Sequence, residues 1–445
     1  MCHYPGHPIM LGAVTMKSSA SVDHGATRRL FSVLTAVWDT DLWRLELWDG
    51  SSAGETETPE FVLRFRSRRG LDRLVGDLPD RGFGRAYAEG SLEVEGLYAF
   101  LGRVSDLSMS RMARLLPRIL TTALALGARP DPRRIPVEAH LRGRLHSRVR
   151  DSEAIRHHYD QPPEFYRLFL GRTLTYSCAY FETPDTDLDT AQEAKLELVC
   201  SKLRLRPGER FLDIGCGWGS LVFHAAQHWG VRALGITASP RQAEWAAEQV
   251  RTLGLEGKAE VRLADYRDGL DGEFDAIASV GMVEHVGRRA MAGYCEAVRG
   301  LLRPEGRALI HGITTRPGAK GIGAFLNSFV FPDGQLQEAG SMVTALQASG
   351  LEVRDVESLR EHYALTLRNW VERLEAGWDE AVALVGVQRA RVWKLYMSGS
   401  RVGFEQGSIA IHQILAVRQG EAGESGLPLT RADWYLAERG SAVEV

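Results

Sequence analysis

From Leu196 onward, short apolar runs alternate with longer stretches that repeat their apolar positions every three or four residues. Phe211 to Ile214, Val231 to Ile236, Ala259 to Ala264, Phe274 to Val280 and Arg307 to Ile313 read as strands. Leu221 to Trp229, Pro240 to Leu253 and a segment around Arg289 to Leu302 read as helices. Regular strand and helix alternation predicts an α/β fold: a mainly parallel sheet with helices on both faces and its ligand at the carboxyl ends of the strands. Upstream the pattern differs. Leu42 to Trp48 and Phe61 to Arg66 alternate as strands around a loop, Asp49 to Pro59, and a helical stretch runs from Asp106 to Gly127. This predicts a smaller α+β domain at residues 29–147, after a leader at 1–28 rich in Gly, Pro, Ser and His. The larger domain is expected at 148–422, with a tail at 423–445.

The first strand of the larger domain ends Phe211-Leu212-Asp213-Ile214 and runs into Gly215-Cys216-Gly217-Trp218-Gly219. Three glycines at alternate positions let the backbone turn sharply and approach a ligand, and the following helix aims its free amides at the same spot. The spacing is not the Gly-x-Gly-x-x-Gly of dinucleotide sites, and the acid, Asp213, precedes the glycines. Both features favour S-adenosylmethionine over NAD. The second strand leads into Thr237 and Gln242, so hydroxyl and amide groups replace the usual ribose-binding acid. The third leads into Asp265 and Tyr266, placed to hold an adenine by a carboxylate and a ring face. Asp265 reads equally as a loop cap.

Composition narrows the classes. The chain has 445 residues, 44% hydrophobic and 25% charged, with a net charge of -3. That is an ordinary globular balance with no global argument for nucleic acid. The five cysteines, Cys2, Cys178, Cys200, Cys216 and Cys295, lack the paired spacing of a disulfide framework or a zinc ribbon, and the cytoplasm is the natural compartment. No run approaches the roughly 18 to 20 apolar residues of a membrane span. Between Arg129 and Arg156 arginines outnumber acids, which reads either as a solvated linker that packs on the second domain or as a membrane-facing basic surface.

Several motifs in order give the chain a specific resemblance: Tyr176-Ser177-Cys178-Ala179-Tyr180-Phe181, the Leu212 to Gly219 loop, Gly235-Ile236-Thr237, Asp265-Tyr266-Arg267-Asp268, and Val280-Gly281-Met282-Val283-Glu284-His285-Val286-Gly287. Together they resemble the cyclopropane-fatty-acyl-phospholipid synthase family over most of residues 150 to 420. A weaker likeness reaches the first domain through Gly84 to Val94. The resemblance implies a class I S-adenosylmethionine methyltransferase of Rossmann-like fold. It also implies a bicarbonate held by the Cys178 segment, Glu284, His311, the Ile313 backbone and Tyr363. Tyr176 and Ser177 are implied at the cofactor's methionine end, with Gly215, Gly217, Thr237 and Gln242 along its length. One departure stands out: Gln161-Pro162-Pro163-Glu164 follows His158-Tyr159-Asp160, where the family often has Leu-Gly-Asn-Asp or a similar stretch.

The expected activity is transfer of a methylene unit to the cis double bond of an unsaturated phospholipid acyl chain. The residues leave open a methyl or methylene branch on an oleoyl chain, which a partner reductase could saturate. Small-molecule N-methylation needs no bicarbonate cage and fits less well. By the same resemblance the first domain engages lipid and forms a homodimer, which would put the enzyme peripherally on the inner face of the cell membrane. The aromatic segment Ala324 to Pro332 is expected to be partly core and partly an acyl channel.

Overall fold

The computed structural model describes residues 24–435 apart from positions 40, 55, 78, 146, 271 and 320. The chain divides into two compact units after Glu138, N-terminal to the boundary expected after residue 147. Most of the expected leader lies outside the described residues; from His24 to Thr35 the chain is helical.

In the first unit Trp43–Glu46 alternates buried Trp43 and Leu45 with half-buried Arg44 and Glu46, the signature of a strand with one covered face. It pairs in parallel with Phe61–Phe65, which pairs antiparallel with Leu92–Glu95. The interval expected as a loop contributes the short strand Ser52–Ala53, which completes the four-stranded sheet. The expected helix runs Met109–Ala125, opened by the Ser108 hydroxyl accepting from the Arg111 amide.

The second unit carries seven strands: β1 (Arg210–Ile214), β2 (Arg232–Thr237), β3 (Ala259–Leu263), β4 (Phe274–Val280), β5 (Leu302–Thr315), β6 (Glu352–Ser358) and β7 (Ile409–Val417), in the order β6-β7-β5-β4-β1-β2-β3. From β3 to β5 the neighbours are parallel, while β7 lies antiparallel between β5 and β6. This is a class I methyltransferase-type sheet. Successive side chains of β1 feed opposite layers: Phe211 packs with Val199, Leu203 and Val222, whereas Leu212 and Ile214 pack with Ile277, Val298 and Leu346. The helices that matter for the site are α1 (Arg148–Tyr159), α2 (Leu188–Leu203), α3 (Ser220–His228), α4 (Pro240–Thr252), α5 (Arg360–Ala376) and α6 (Val387–Glu405).

One expectation is revised. Part of the segment expected as a tail is packed: Trp434 is buried against the layer that holds Val199 and Phe211. The basic junction is partly spent on ion pairs, since Arg148 bonds Asp268 at 2.5 Å and Arg150 bonds Asp333. Among the described residues no helix is long and apolar enough to cross a membrane.

Candidate active site

The carboxyl ends of β1, β2, β4 and β5 open into a cavity of about 330 Å³, closed over by residues of α1, α5 and α6. The turn after β1 is made by Gly215, Gly217 and Gly219, all at positive φ. Gly215 and Gly217 face the cavity. Gly219 is not among the lining residues: it starts α3 at φ +88°, and a Cβ there would meet the Phe223 ring at 2.6 Å. Packing thus requires glycine there, and Gly219 stands outside the lining of the cavity where the ligand contact was expected.

Asp213 lies 2% exposed at the end of β1, and its Oδ1 has no partner among the described residues. Burial pushes its carboxyl up to about 7, against the opposing pull of Lys195. Lys195, on α2 and equally buried, donates to the Ser177 hydroxyl at 3.0 Å, and burial brings its ammonium down to about 8. An acid and a base, both desolvated and both lining the cavity, therefore sit beside the glycine turn.

Thr237 and Gln242 also line the cavity and bond each other, Thr237 Oγ1 donating to Gln242 Oε1 at 2.8 Å. Asp265 caps its loop and also stands at the cavity. Its Oδ1 caps the turn by accepting the Arg267 amide at 2.9 Å, and the residue lines the cavity with Tyr266. Burial raises the Asp265 carboxyl, but the hydrogen bonds from Arg267 outweigh this and hold it below its ordinary value.

At the other end β4 runs through Gly281 into a short helix, Val283–Val286, that carries Glu284. The Gly281 amide donates to the His311 carbonyl at 2.8 Å, so the ends of β4 and β5 are tied together. Glu284 Oε1 accepts the Ile313 amide at 2.6 Å, while Oε2 is buried without a partner among the described residues. Burial pushes this carboxyl up to about 7. His311 is fully buried, its imidazole held well below its ordinary value by desolvation, and its Nε2 also has no partner among the described residues.

The structure brings Glu284, His311, Ile313 and Tyr363 to one cavity, with two corrections. The Ile313 amide, expected to face an anion, is given to Glu284. Cys178 is fully buried but does not line the cavity; its thiol points to the carbonyls of Ala179 at 3.2 Å and Leu359 at 3.8 Å. It packs as a small apolar side chain.

Aromatic side chains contribute much of the remaining lining. Tyr176 bonds His158 at 2.9 Å and Tyr396 at 3.0 Å, and Tyr159 bonds His285 at 3.2 Å. Leu326 and Phe331 from the aromatic segment line the cavity, whereas Phe325 and Phe329 are buried. Lys195, Tyr159 and Tyr396 were not singled out as site residues from sequence. A lysine within the apolar pattern of α2 is the signal that would have found the first; the tyrosines give no local signal.

The sequence model of the mycolic acid cyclopropane synthetase family matches residues 146–414. The chain belongs to this family. It is 38% identical over 414 residues to a protein of Mycobacterium tuberculosis named as a probable fatty acid methyltransferase, covering 90% of this chain and 96% of that one. It is 31% identical over 343 residues to the cyclopropane-fatty-acyl-phospholipid synthase of Escherichia coli K12, covering 77% and 84%. Among solved structures it is similar to the mycolic acid cyclopropane synthase CmaA1 complexed with SAH and CTAB, at a TM-score of 0.56 and 32% identity over 60% of this chain and 98% of that one. The protein is thus an S-adenosylmethionine-dependent methyltransferase of the lipid-modifying cyclopropane synthetase family. The glycine turn, the orphaned Asp213 oxygen and buried Lys195 fit the zwitterionic end of that co-substrate.

Proposed function

We propose that the protein converts the cis double bond of an unsaturated phospholipid acyl chain into a cyclopropane. The observation that carries this reading is that Glu284 Oε2 and His311 Nε2, both without a partner among the described residues, belong to a cavity also lined by Tyr159, Tyr176, Phe331, Tyr363 and Tyr396.

An isolated alkene is a feeble nucleophile, so it needs a strongly electrophilic one-carbon donor. S-adenosylmethionine, when bound, supplies the methyl carbon of a sulfonium. The alkene π pair forms the new C–C bond as the C–S bond breaks, leaving a cation on the acyl chain. Loss of a proton from the added methyl lets that C–H pair close the ring. Water would capture the cation first, so the walls of Tyr159, Tyr176, Phe331, Tyr363 and Tyr396 serve by excluding it. Glu284, His311 and Tyr363 would hold bicarbonate, which supplies the base. With its carboxyl raised by burial, Glu284 can donate from Oε2 while Oε1 stays on the Ile313 amide.

A second reading keeps methyl transfer but removes a different proton, giving a methylene- or methyl-branched chain, with a reductase partner for the saturated product. The relatives named as fatty acid methyltransferases, from Mycobacterium tuberculosis and Pseudomonas putida, favour it. In either case the substrate is a membrane phospholipid. The enzyme would work as a homodimer at the inner face of the cell membrane, with the first unit engaging lipid. If residues 148–445 alone acted on vesicles as well as the whole chain, that role of the first unit would be lost.

The test is expression in a bacterium lacking its own cyclopropane synthase, followed by gas chromatography, mass spectrometry and proton NMR of the fatty acid methyl esters. Upfield cyclopropane protons on a product one CH2 heavier support the first reading. Terminal-methylene signals at the same mass move the assignment to the second. No lipid product, with S-adenosylmethionine binding intact, rejects both.

A further inference from the structure

His311 lines the cavity, its Nε2 has no partner among the described residues, and a chain of buried side chains is attached to its other nitrogen. Gln413 Nε2 lies 3.1 Å from His311 Nδ1, and Gln413 Oε1 accepts from Lys202 Nζ at 2.8 Å. All three residues are essentially inaccessible: His311 and Lys202 are 0% exposed and Gln413 is 1%. The register of the strands builds this line. Gln413 on β7 sits directly opposite His311 on β5 and opposite Glu357 on β6. Glu357 bonds Lys202 from the far side, Asp355 stands 3.9 Å from the same ammonium, and the Trp434 ring centroid lies 5.7 Å from it.

The chemistry of the line has one solution. An ammonium can only donate, so the end of the Gln413 amide that meets Lys202 must be the oxygen. The amide nitrogen is then turned to His311, and an NH2 group can only donate. His311 Nδ1 must therefore accept. Burial keeps the imidazole neutral, and a neutral imidazole carries one proton, which is left to Nε2.

We infer that Lys202 and Gln413 are positioning residues that lock His311 as the Nε2–H tautomer, so that the ring can only donate into the cavity. A donor is what an anionic base needs there; the opposite tautomer would present a lone pair to the anion and repel it. The catalytic consequence rests on the proposed bicarbonate-assisted function, while the tautomer itself does not. Buried lysine and glutamine side chains lose much solvation on folding, and the direction they give His311 accounts for their placement behind a reaction site.

The test uses the full-length protein with 15N-labelled histidine and long-range 1H–15N correlation, the His311 signals being assigned by their loss in His311→Gln. The expected wild-type pattern is a protonated Nε2 and an unprotonated Nδ1. Gln413→Glu keeps the size and the bond to Lys202 but turns the donor into an acceptor, so Nδ1 should become protonated. In the same variant kcat should fall about 10- to 100-fold, the range typical of residues that orient a site ligand, with KM for S-adenosylmethionine within about twofold. Lys202→Arg should retain the wild-type spectrum, whereas Lys202→Met, which frees the amide to turn over, should show both tautomers. A wild-type His311 protonated on Nδ1 overturns the inference, as does a Gln413→Glu variant with unchanged spectrum and kcat. If the spectra follow expectation but turnover is independent of bicarbonate, the tautomer lock stands and the proposed base fails.

Discussion

Glu284 accepts the Ile313 amide on one carboxylate oxygen at 2.6 Å and keeps the other buried and without a partner among the described residues, in the cavity that His311 also lines. The bond fixes the rotamer, and burial lifts the carboxyl to about 7, so the free oxygen carries a proton for part of the time near neutrality. Few arrangements keep an acid in an apolar cavity unless its proton is used.

Glu284→Gln retains an acceptor for Ile313 and loses the titration. Turnover should drop at least about 100-fold, in line with the removal of a positioned acid or base. The stability effect has a definite sign. A carboxyl raised from 4.5 to about 7 binds its proton more tightly in the folded state, so its contribution is complete below pH 4.5 and is lost as pH rises toward and through 7. The variant escapes that loss. Thermal midpoints measured from pH 5 to 8 should therefore move in favour of Glu284→Gln as pH rises; a constant difference would show that the acid is not shifted.

Asp213 and Lys195 should hold the two charges of the co-substrate's amino-acid end. Removing one partner of a charged hydrogen bond costs about 1.5 to 3 kcal/mol, or roughly 10- to 100-fold in affinity. Calorimetric titration with S-adenosylhomocysteine should show losses of that order for both Asp213→Asn and Lys195→Met. Unchanged affinity in either variant would leave that residue a purely structural role.

Cys178 lies within one of the motifs that carry the family resemblance, yet its thiol is turned to the Ala179 and Leu359 carbonyls. Cys178→Ala should therefore keep turnover within about threefold while losing about 1 kcal/mol of stability to the small void. A loss of activity near 100-fold without a matching fall in thermal midpoint would put the sulfur itself in the reaction.

Much of this site was legible in sequence because its parts are local. The β1 run, the Gly215 to Gly219 turn and the Glu284 segment after β4 each lie within a few residues of the strand end that presents them. What escaped was long-range. The alternating pattern carries the sheet only as far as Ile313, because the strand Ile409 to Val417 is interrupted by His412 and Gln413; without β7, nothing sets Gln413 opposite His311 or Lys202 behind both. Tyr159 and Tyr396 reach the cavity from helices more than two hundred positions apart, which no spacing rule connects. Cys178, Gly219 and the Ile313 amide failed in a different way. A motif reports that a residue is needed, but whether it faces the ligand or supports the residues that do depends on side-chain and amide direction, which folding decides.

Gly217 and Gly219 separate these two kinds of need within one turn. At Gly217, φ is +55° and the nearest atom to an added Cβ is Gln242 Nε2 at 4.0 Å, so alanine would project into open space on the cavity wall. At Gly219, φ is +88° and the Phe223 ring blocks a Cβ at 2.6 Å. Both substitutions carry the left-handed backbone cost of about 1 to 2 kcal/mol, but only Gly219→Ala adds a clash inside the packed start of α3. Thermal denaturation with and without S-adenosylhomocysteine should divide them. Gly219→Ala should show the larger fall in ligand-free midpoint yet still be stabilised by ligand, because its Cβ points away from the cavity. Gly217→Ala should lose less without ligand and show little ligand-induced rise, since its Cβ occupies space the co-substrate needs. The reverse pattern would mean that Gly219, not Gly217, meets the co-substrate.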